Sequence, residues 1–451
     1  MQQVTVDEVR DRLRDALGRN EAAAVSRLAA QLPTGEIERL LPDLDPRQLG
    51  VLFHVMGDEW LAGIVSELDP TIAARLLMRM TDVQAADVLE EMPPDEAADV
   101  MGELSEPDRE DVLQEMEHEE AADIRELLEY PPETAGGRMT TELTALREGM
   151  SVDEALQFLR KAGEAPNAVY YIYVVDDAGR LAGVTTLRDL VLSPGSRRVA
   201  EITRRDVTSI EATSDQEAAA RSLRESGFLA LPVLDADRRL VGVITADDVA
   251  EVIEEEASED IERLGGSQPL EEPYLTASLF HLFRKRILWL LALFAAEAYT
   301  GNVLRFFENE LAEVVALSFF IPLLIGTGGN TGTQVVTTLV RALAVGEVGL
   351  RDIFRVFTRE LGVGVMLAAT MGVAAYIRAQ ILGVGPGIGE VVALTAFCIV
   401  VWSALVASIL PLVLHRLHLD PAVVSGPLIA TLVDGTGLVI YFTIAKFVLG
   451  L

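Results

Sequence analysis

The chain has 451 residues, enough for two to four domains at roughly 100–200 residues each. It carries 37 basic against 70 acidic side chains, a net charge of −33, yet half its residues are hydrophobic and its mean hydropathy is +0.29. This balance excludes nucleic acid as a partner, because phosphates need a basic face, and the single cysteine, Cys398, excludes an intrachain disulfide.

The segment Met1 to Leu13 is polar, so no cleavable signal peptide is expected. A similar octet then recurs every 12 residues, starting at Ile37, Leu49, Leu61, Ala73, Ala85, Ala97, Arg109 and Ala121. Copies such as AARLLMRM, AADVLEEM and AADVMGEL put apolar residues at positions 4, 5 and 8, often with alanine at 1 and 2, which is the spacing of one helix face. Pro46, Pro70, Pro93, Pro94 and Pro107 punctuate the copies. Each copy thus predicts a helix of two to three turns, and the series predicts an acidic α-solenoid N-domain over residues 1–132. Asp82, Asp87, Asp95, Asp99, Glu103 and Asp111 are expected on solvent-facing positions or turns, where a carboxylate ordinarily serves solubility.

A second repeat follows: GRLAGVTTLRDLV (179–191) is matched 59 residues later by RRLVGVITADDVA (238–250), and the β-rich run 168–175 by 229–234. Each unit reads helix, strand, turn, strand, helix, and residues 133–250 resemble an α/β tandem pair of CBS domains, a regulatory module that often binds adenine nucleotides such as ATP. The resemblance implies nucleotide contacts at Thr186 with Asp189 and at Thr245 with Asp248, with Arg188 on a phosphate. Threonine and aspartate just ahead of a helix are also ordinary N-caps, and both roles stay open.

From Asp247 to Glu262 there are nine acidic residues and no basic one. The predicted connecting helix, within 251–275, sets Glu251 against Glu255, Glu255 against Glu259 and Glu256 against Asp260 at i,i+4, each pair costing about 0.2–0.5 kcal/mol. Such a helix wants counter-cations.

Beyond Pro273 the composition changes: 10 acidic and 11 basic side chains remain, against 60 and 26 before it. Five apolar segments, roughly 287–307, 314–340, 361–383, 391–414 and 422–449, are each long enough to cross about 30 Å of hydrocarbon. Arg284, Lys285 and Arg286 precede the first, and Arg341, Arg351, Arg355 and Arg359 fill the loop after the second, which puts the soluble half in the cytoplasm and the C-terminus outside. An aspartate at a span centre costs about 2.5–3.5 kcal/mol, so Asp434 in the fifth span is a functional candidate. Gly426, Pro427, Gly435 and Gly437 around it are expected to loosen or bend the helix. The second span carries IPLLIGTGGNTGTQ (321–334), whose glycines allow either close helix approach or an unwound stretch. Oxygen ligands and one carboxylate, without thiolate or imidazole, favour a hard cation, and Mg2+ fits best if partly hydrated.

The acidic helical N-domain, the CBS pair, the acidic connector and five spans with GTGGNTGTQ and DPAVVSGPLIATLVDGTGLVIY (420–441) together resemble the MgtE family of magnesium channels. The resemblance implies a homodimer whose pore is lined by the second and fifth spans, with Asp434 at the ion site and Gly326, Gly328, Gly329, Asn330 and Thr333 nearby. It also implies gating by cytosolic Mg2+ bridging acidic faces, with Asp95, Asp99, Asp215, Glu217, Asp248, Glu256, Glu259 and Asp260 as candidates. Thr333 and Gly435 depart from the family pattern, which often has asparagine and a β-branched residue there. Glu297 in the first span is unexpected and is left between a partner helix and the pore entrance.

Other classes fit less well. An anion carrier would want Arg or Lys within the spans, and an intramembrane aspartyl protease needs a second aspartate that Asp434 lacks in another span, so no enzyme activity is expected. A transporter of Mn2+ or Co2+, and a membrane-anchored Mg2+ or nucleotide sensor, remain as alternatives.

Overall fold

The computed structural model describes residues 6–161, 171–270, 272, 274–275, 277–417 and 419–451, in two units, Met1–Glu255 and Glu256–Leu451. Positions 168–170 of the β-rich run lie outside the described residues.

The first unit opens with helices α1 (Val6–Gly18), α2 (Ala22–Ala29), α3 (Thr34–Leu40), α4 (Pro46–Met56), α5 (Asp58–Val65), α6 (Pro70–Leu77), α7 (Asp82–Glu90), α8 (Pro94–Gly102), α9 (Glu106–Glu115) and α10 (His118–Leu128). From α2 onward the residue ahead of each helix falls at every twelfth position: Glu21, Pro33, Asp45, Gly57, Asp69, Thr81, Pro93, Ser105 and Glu117. The repeat therefore begins one copy earlier than Ile37, with Val25, Leu28, Ala29 and Leu32 buried in the same pattern. Asp45, Asp69, Thr81 and Ser105 accept hydrogen bonds from first-turn amides, each such cap contributing about 1 kcal/mol. Octet positions 1, 2, 4, 5 and 8 are buried, as in Ala85, Ala86, Val88, Leu89 and Met92. Arginine at position 1 of the α9 copy fits because Arg109 donates to the carbonyls of Met101, Gly102 and Leu104, closing the end of α8. Helices pack two along the chain, α5 on α7, α6 on α8, α7 on α9 and α8 on α10, so alternate copies stack.

Two sheets follow. In the first, β1 (Ala145–Arg147) runs parallel to β2 (Ile172–Val175), which pairs antiparallel with β3 (Leu181–Thr185); α11 (Val152–Lys161) and α12 (Leu187–Leu192) flank them. The second repeats this with β4 (Ile210–Glu211), α13 (Gln216–Ser226), β5 (Ala230–Leu234), β6 (Leu240–Thr245) and α14 (Ala246–Leu264). Even the irregularity recurs: the register shifts between Val174 and Val175 and, 59 residues on, between Val233 and Leu234. The core of the second repeat, including Leu231, Val233, Ile244, Val249 and Val252, is continuous with that of the solenoid. The acidic stretch lies on α14, which starts inside the second repeat and runs unbroken for 19 residues.

Among its described residues the second unit holds five helices long and apolar enough to cross a membrane: α15 (Leu279–Phe306), α17 (Ile321–Ala344) with a preceding 3-10 turn from Val315, α18 (Ile353–Leu382), α19 (Pro386–Arg416) and α20 (Gly426–Leu449). A short α16 (Glu308–Glu313) that the hydropathy pattern does not predict joins the first two. Helix α19 packs on α17, α18 and α20, while α15 touches α20 and is otherwise largely uncovered.

Candidate cation sites

In the first unit, the opening turns of α8 and α14 face each other across a cavity of about 70 Å3, several times the roughly 10–15 Å3 that one ordered water needs. Its acidic lining is Asp95, Glu96 and Asp99 from α8 and Asp248 and Glu251 from α14. Asp95 and Asp99 are therefore half-buried, contrary to the solvent-facing expectation, because α14 covers this turn; Asp82, Asp87, Glu103 and Asp111 are exposed as expected. Asp95 Oδ1 and Glu96 Oε2 are buried with no hydrogen-bond partner. Burial, then the charge of Asp248, pushes Asp95 up to about 6. Burial pushes Glu96 to about 7, and Asp99 to about 7 against the pull of Arg138. Asp248 is raised for the same reason. These are carboxylates crowded away from water, and a cation would relieve both penalties at once.

Arg138 supplies part of that charge. Its Nη1 lies 3.7 Å from Asp99 Oδ2, another guanidinium nitrogen pairs with Glu255, and its Nε donates to Gln216 Oε1 at 2.9 Å. Glu96, Glu251 and Arg138 are absent from the sequence-derived set. Glu96 had a signal, its place beside Asp95 in the same first turn of α8; Arg138 is a lone arginine in a loop and had none.

Other candidates have local roles. Asp215 caps α13 through the Glu217 amide at 2.9 Å, and Glu217 pairs with Arg221 at 2.7 Å; neither lines the cavity. Thr186 Oγ1 caps α12 through the Asp189 amide at 3.1 Å and donates to Asp189 Oδ2 at 2.8 Å. Thr245 Oγ1 and its amide both donate to Asp248 Oδ2, at 2.7 and 2.8 Å. Arg188 is exposed. The N-cap role is thus realised by Thr186, whereas in the second pair Asp248 accepts from Thr245.

In the second unit, α14 ends on the membrane helices. Glu259 pairs with Arg263, and Arg263 also pairs with Asp420, which caps the 3-10 turn Pro421–Val423 just ahead of α20. Gly266, at φ +77°, lies so close to Trp289 that a Cβ would stand 2.8 Å from the indole. Glu256 and Asp260 are half-buried on the same stretch of helix.

Asp434 is half-buried on α20. Its Oδ1 is 3.9 Å from where a Cβ on Gly329 would stand, so the missing side chain keeps the carboxylate open toward α17. Helix α20 is continuous, contrary to the expected loosening, and Pro427 sits in its first turn, where its missing N–H costs nothing; α17 is continuous too, so of the two options for its glycines the unwound stretch is not realised. Close approach, the other option, explains the glycines of α17. A Cβ on Gly328 would stand 2.5 Å from Ile399 Cγ2, and one on Gly332 2.4 Å from Ile429 Cγ2; Ser403 Oγ donates to the Gly328 carbonyl at 2.6 Å. Thr333 Oγ1 donates to the Gly329 carbonyl at 3.0 Å. Gly326, Asn330, Gln334 and Thr337 form an exposed polar stripe along α17. Among the described residues no three acidic, histidine or cysteine side chains converge tightly enough to hold an ion alone, so an ion at either place keeps much of its water.

Residues 321–444 match the family model MgtE, described as a divalent cation transporter, residues 32–133 the MgtE intracellular N domain, and residues 135–194 and 199–255 the CBS domain. The chain is 44% identical over 323 residues to the magnesium transporter MgtE of Thermus thermophilus, an alignment covering 72% of each chain. It is similar to the crystal structure of the soluble part of a magnesium transporter (32% identity, TM-score 0.50, 56% of this chain and 100% of that one). It is also similar to the cytosolic domain of the Mg2+ channel MgtE in complex with ATP (33%, TM-score 0.50, 54% and 99%).

Proposed function

Because the chain belongs to the MgtE family of magnesium transporters, we propose that it carries Mg2+ across the membrane along a path beside Asp434 and that cytosolic Mg2+ closes that path. The observation that carries this reading is Asp434, a carboxylate within a membrane span, held open toward the side-chain-free face of Gly329. A hydrated Mg2+ asks for one or two carboxylates and keeps several waters, which suits a site with few protein ligands. The polar stripe of Gly326, Asn330, Gln334 and Thr337 on α17 has no cover in one copy. A homodimer that turns this stripe and Asp434 inward, with Gly328 and Gly329 bringing α17 and α20 together and Thr333 bracing the turn, gives it water rather than lipid to face.

The regulatory reading follows from the charge of the soluble part. Divalent ions bound among Asp95, Asp99 and Asp248, and at Asp215, Glu217, Glu256, Glu259 and Asp260, would hold the acidic faces together. The same reading keeps four parts: the N-domain (1–132), the CBS pair (133–250), the connecting helix (251–275) and the membrane domain (276–451). The soluble parts lie in the cytoplasm and the C-terminus outside. The ATP complex of the similar cytosolic domain supports a nucleotide on the CBS pair at Thr186, Arg188, Asp189 and Thr245.

Mg2+ entry into proteoliposomes holding a Mg2+-sensitive dye tests both halves. Flux in the wild-type protein that is lost in Asp434→Ala and falls as cytosolic-side Mg2+ rises is the expected result. Flux of Mn2+ or Co2+ in place of Mg2+ moves the substrate to another divalent ion. Mg2+ binding without any flux leaves a membrane-anchored sensor.

A further inference from the structure

Glu297 is the only acidic residue of α15, and the basic residues of that helix lie toward its two ends. At about 1.5 Å per residue, Glu297 is about 16 Å beyond Arg286 and Asp434 about 12 Å beyond Gly426, so both carboxylates sit well inside a hydrocarbon layer about 30 Å thick. The one basic residue of α20, Lys446, is engaged with Glu310 at 2.6 Å. The protein thus supplies neither carboxylate with a counter-cation from these two helices.

The two helices meet at this level. A Cβ on Gly435, the neighbour of Asp434, would stand 2.3 Å from the Tyr299 ring and 3.3 Å from Thr300 Oγ1. Glycine at 435, where the family pattern has a β-branched residue, is what admits α15 so closely. Thr300, one turn after Glu297 and on the same face, is only 9% exposed, and its hydroxyl has no hydrogen-bond partner. Glu297 is exposed on α15, one turn before Thr300. Two like charges and an orphaned hydroxyl at membrane depth are costly unless something positive joins them.

We propose that Glu297, Thr300 and Asp434 form one oxygen-lined cation position between the first and fifth spans, with Glu297 as a second carboxylate for the hydrated divalent ion. This rests on the reading that Asp434 lines the ion path. Two carboxylates, one hydroxyl and retained waters are a ligand set that Mg2+ accepts, and the second carboxylate would tighten entry of a divalent ion over a monovalent one.

The test is uptake into proteoliposomes against external Mg2+ for the wild type, Glu297→Gln, Glu297→Asp and Asp434→Asn. Glu297→Gln keeps the shape and removes a charge that the membrane penalises, so assembly is favoured, and elution as a single species checks it. The expected result is a half-saturating external Mg2+ raised about tenfold in Glu297→Gln, the loss of one charged contact. It should be largely restored in Glu297→Asp, with inhibition by cytosolic Mg2+ unchanged. A purely structural role would lower the amount of active protein without moving half-saturation, so an unmoved value overturns the proposal. Uptake surviving in Asp434→Asn would remove the path itself, and this site with it.

Discussion

Glu96→Gln should stabilise the soluble part of the protein in the absence of metal, and only above the acid range. Glu96 is held at about 7, against 4.5 in an exposed chain, chiefly by burial. With the folded value above the unfolded one, the native state binds more protons between pH 4.5 and 7, and its stability falls as pH rises through that window. At about 1.4 kcal/mol per unit, a rise of 2.5 units corresponds to about 3 kcal/mol as an upper bound, less where Asp95 and Asp248 share the same field. Glutamine keeps the shape without the ionisation, so the variant should exceed the wild type by about 1–3 kcal/mol at pH 8 and by little at pH 4. A fragment of residues 1–264 contains a single tryptophan, Trp60, packed against the solenoid core, so urea unfolding of that fragment followed by fluorescence reads this unit without Trp289 and Trp402. Saturating Mg2+ should flatten the wild-type slope by stabilising the ionised pocket. Identical pH profiles for the two proteins without metal would refute this account of the pocket.

Two further outcomes follow from the second unit. Gly332→Ala should lower stability in detergent by about 1–3 kcal/mol, as overpacking does, because its Cβ would meet Ile429 at 2.4 Å and Ser403 Oγ at 2.7 Å; Gly326→Ala, with nothing within 4 Å, should leave the thermal midpoint in place. Arg263→Ala, which removes the link from α14 to Asp420, should leave flux at low cytosolic Mg2+ intact while weakening its inhibition, read in the dye assay.

What was legible in the sequence was whatever repeats or has a length. The octet pattern works because each helix buries the same positions against its neighbours, and the 59-residue offset because two equivalent folds need the same strands and bulge. The copy at Val25 begins at Glu21 without a proline or side-chain cap, as do the copies after Gly57 and Glu117, so only its phase and its buried positions mark it. The glycines of α17 were ambiguous because unwinding and close packing use the same residue. Only the neighbours decide, and Ile399, Ile429 and Val433 decide for packing. The acidic pocket was half legible: Asp95, Asp99 and Asp248 stand in acidic turns, but that α8 faces α14 is a tertiary fact that no local pattern encodes. Arg138 was invisible for that reason, and Glu251 was legible only as one charge of the acidic helix.

The even spacing of helix starts from Glu21 to Glu117 has a consequence for how such a chain can change over generations. Insertions or deletions in whole multiples of twelve residues preserve the phase of every later turn, whereas any other length rotates the next helix's apolar side out of its slot. Descendants should therefore differ upstream of α8 by entire copies, and the carboxylates on α8 can be gained or lost one at a time while the scaffold that presents them stays in step.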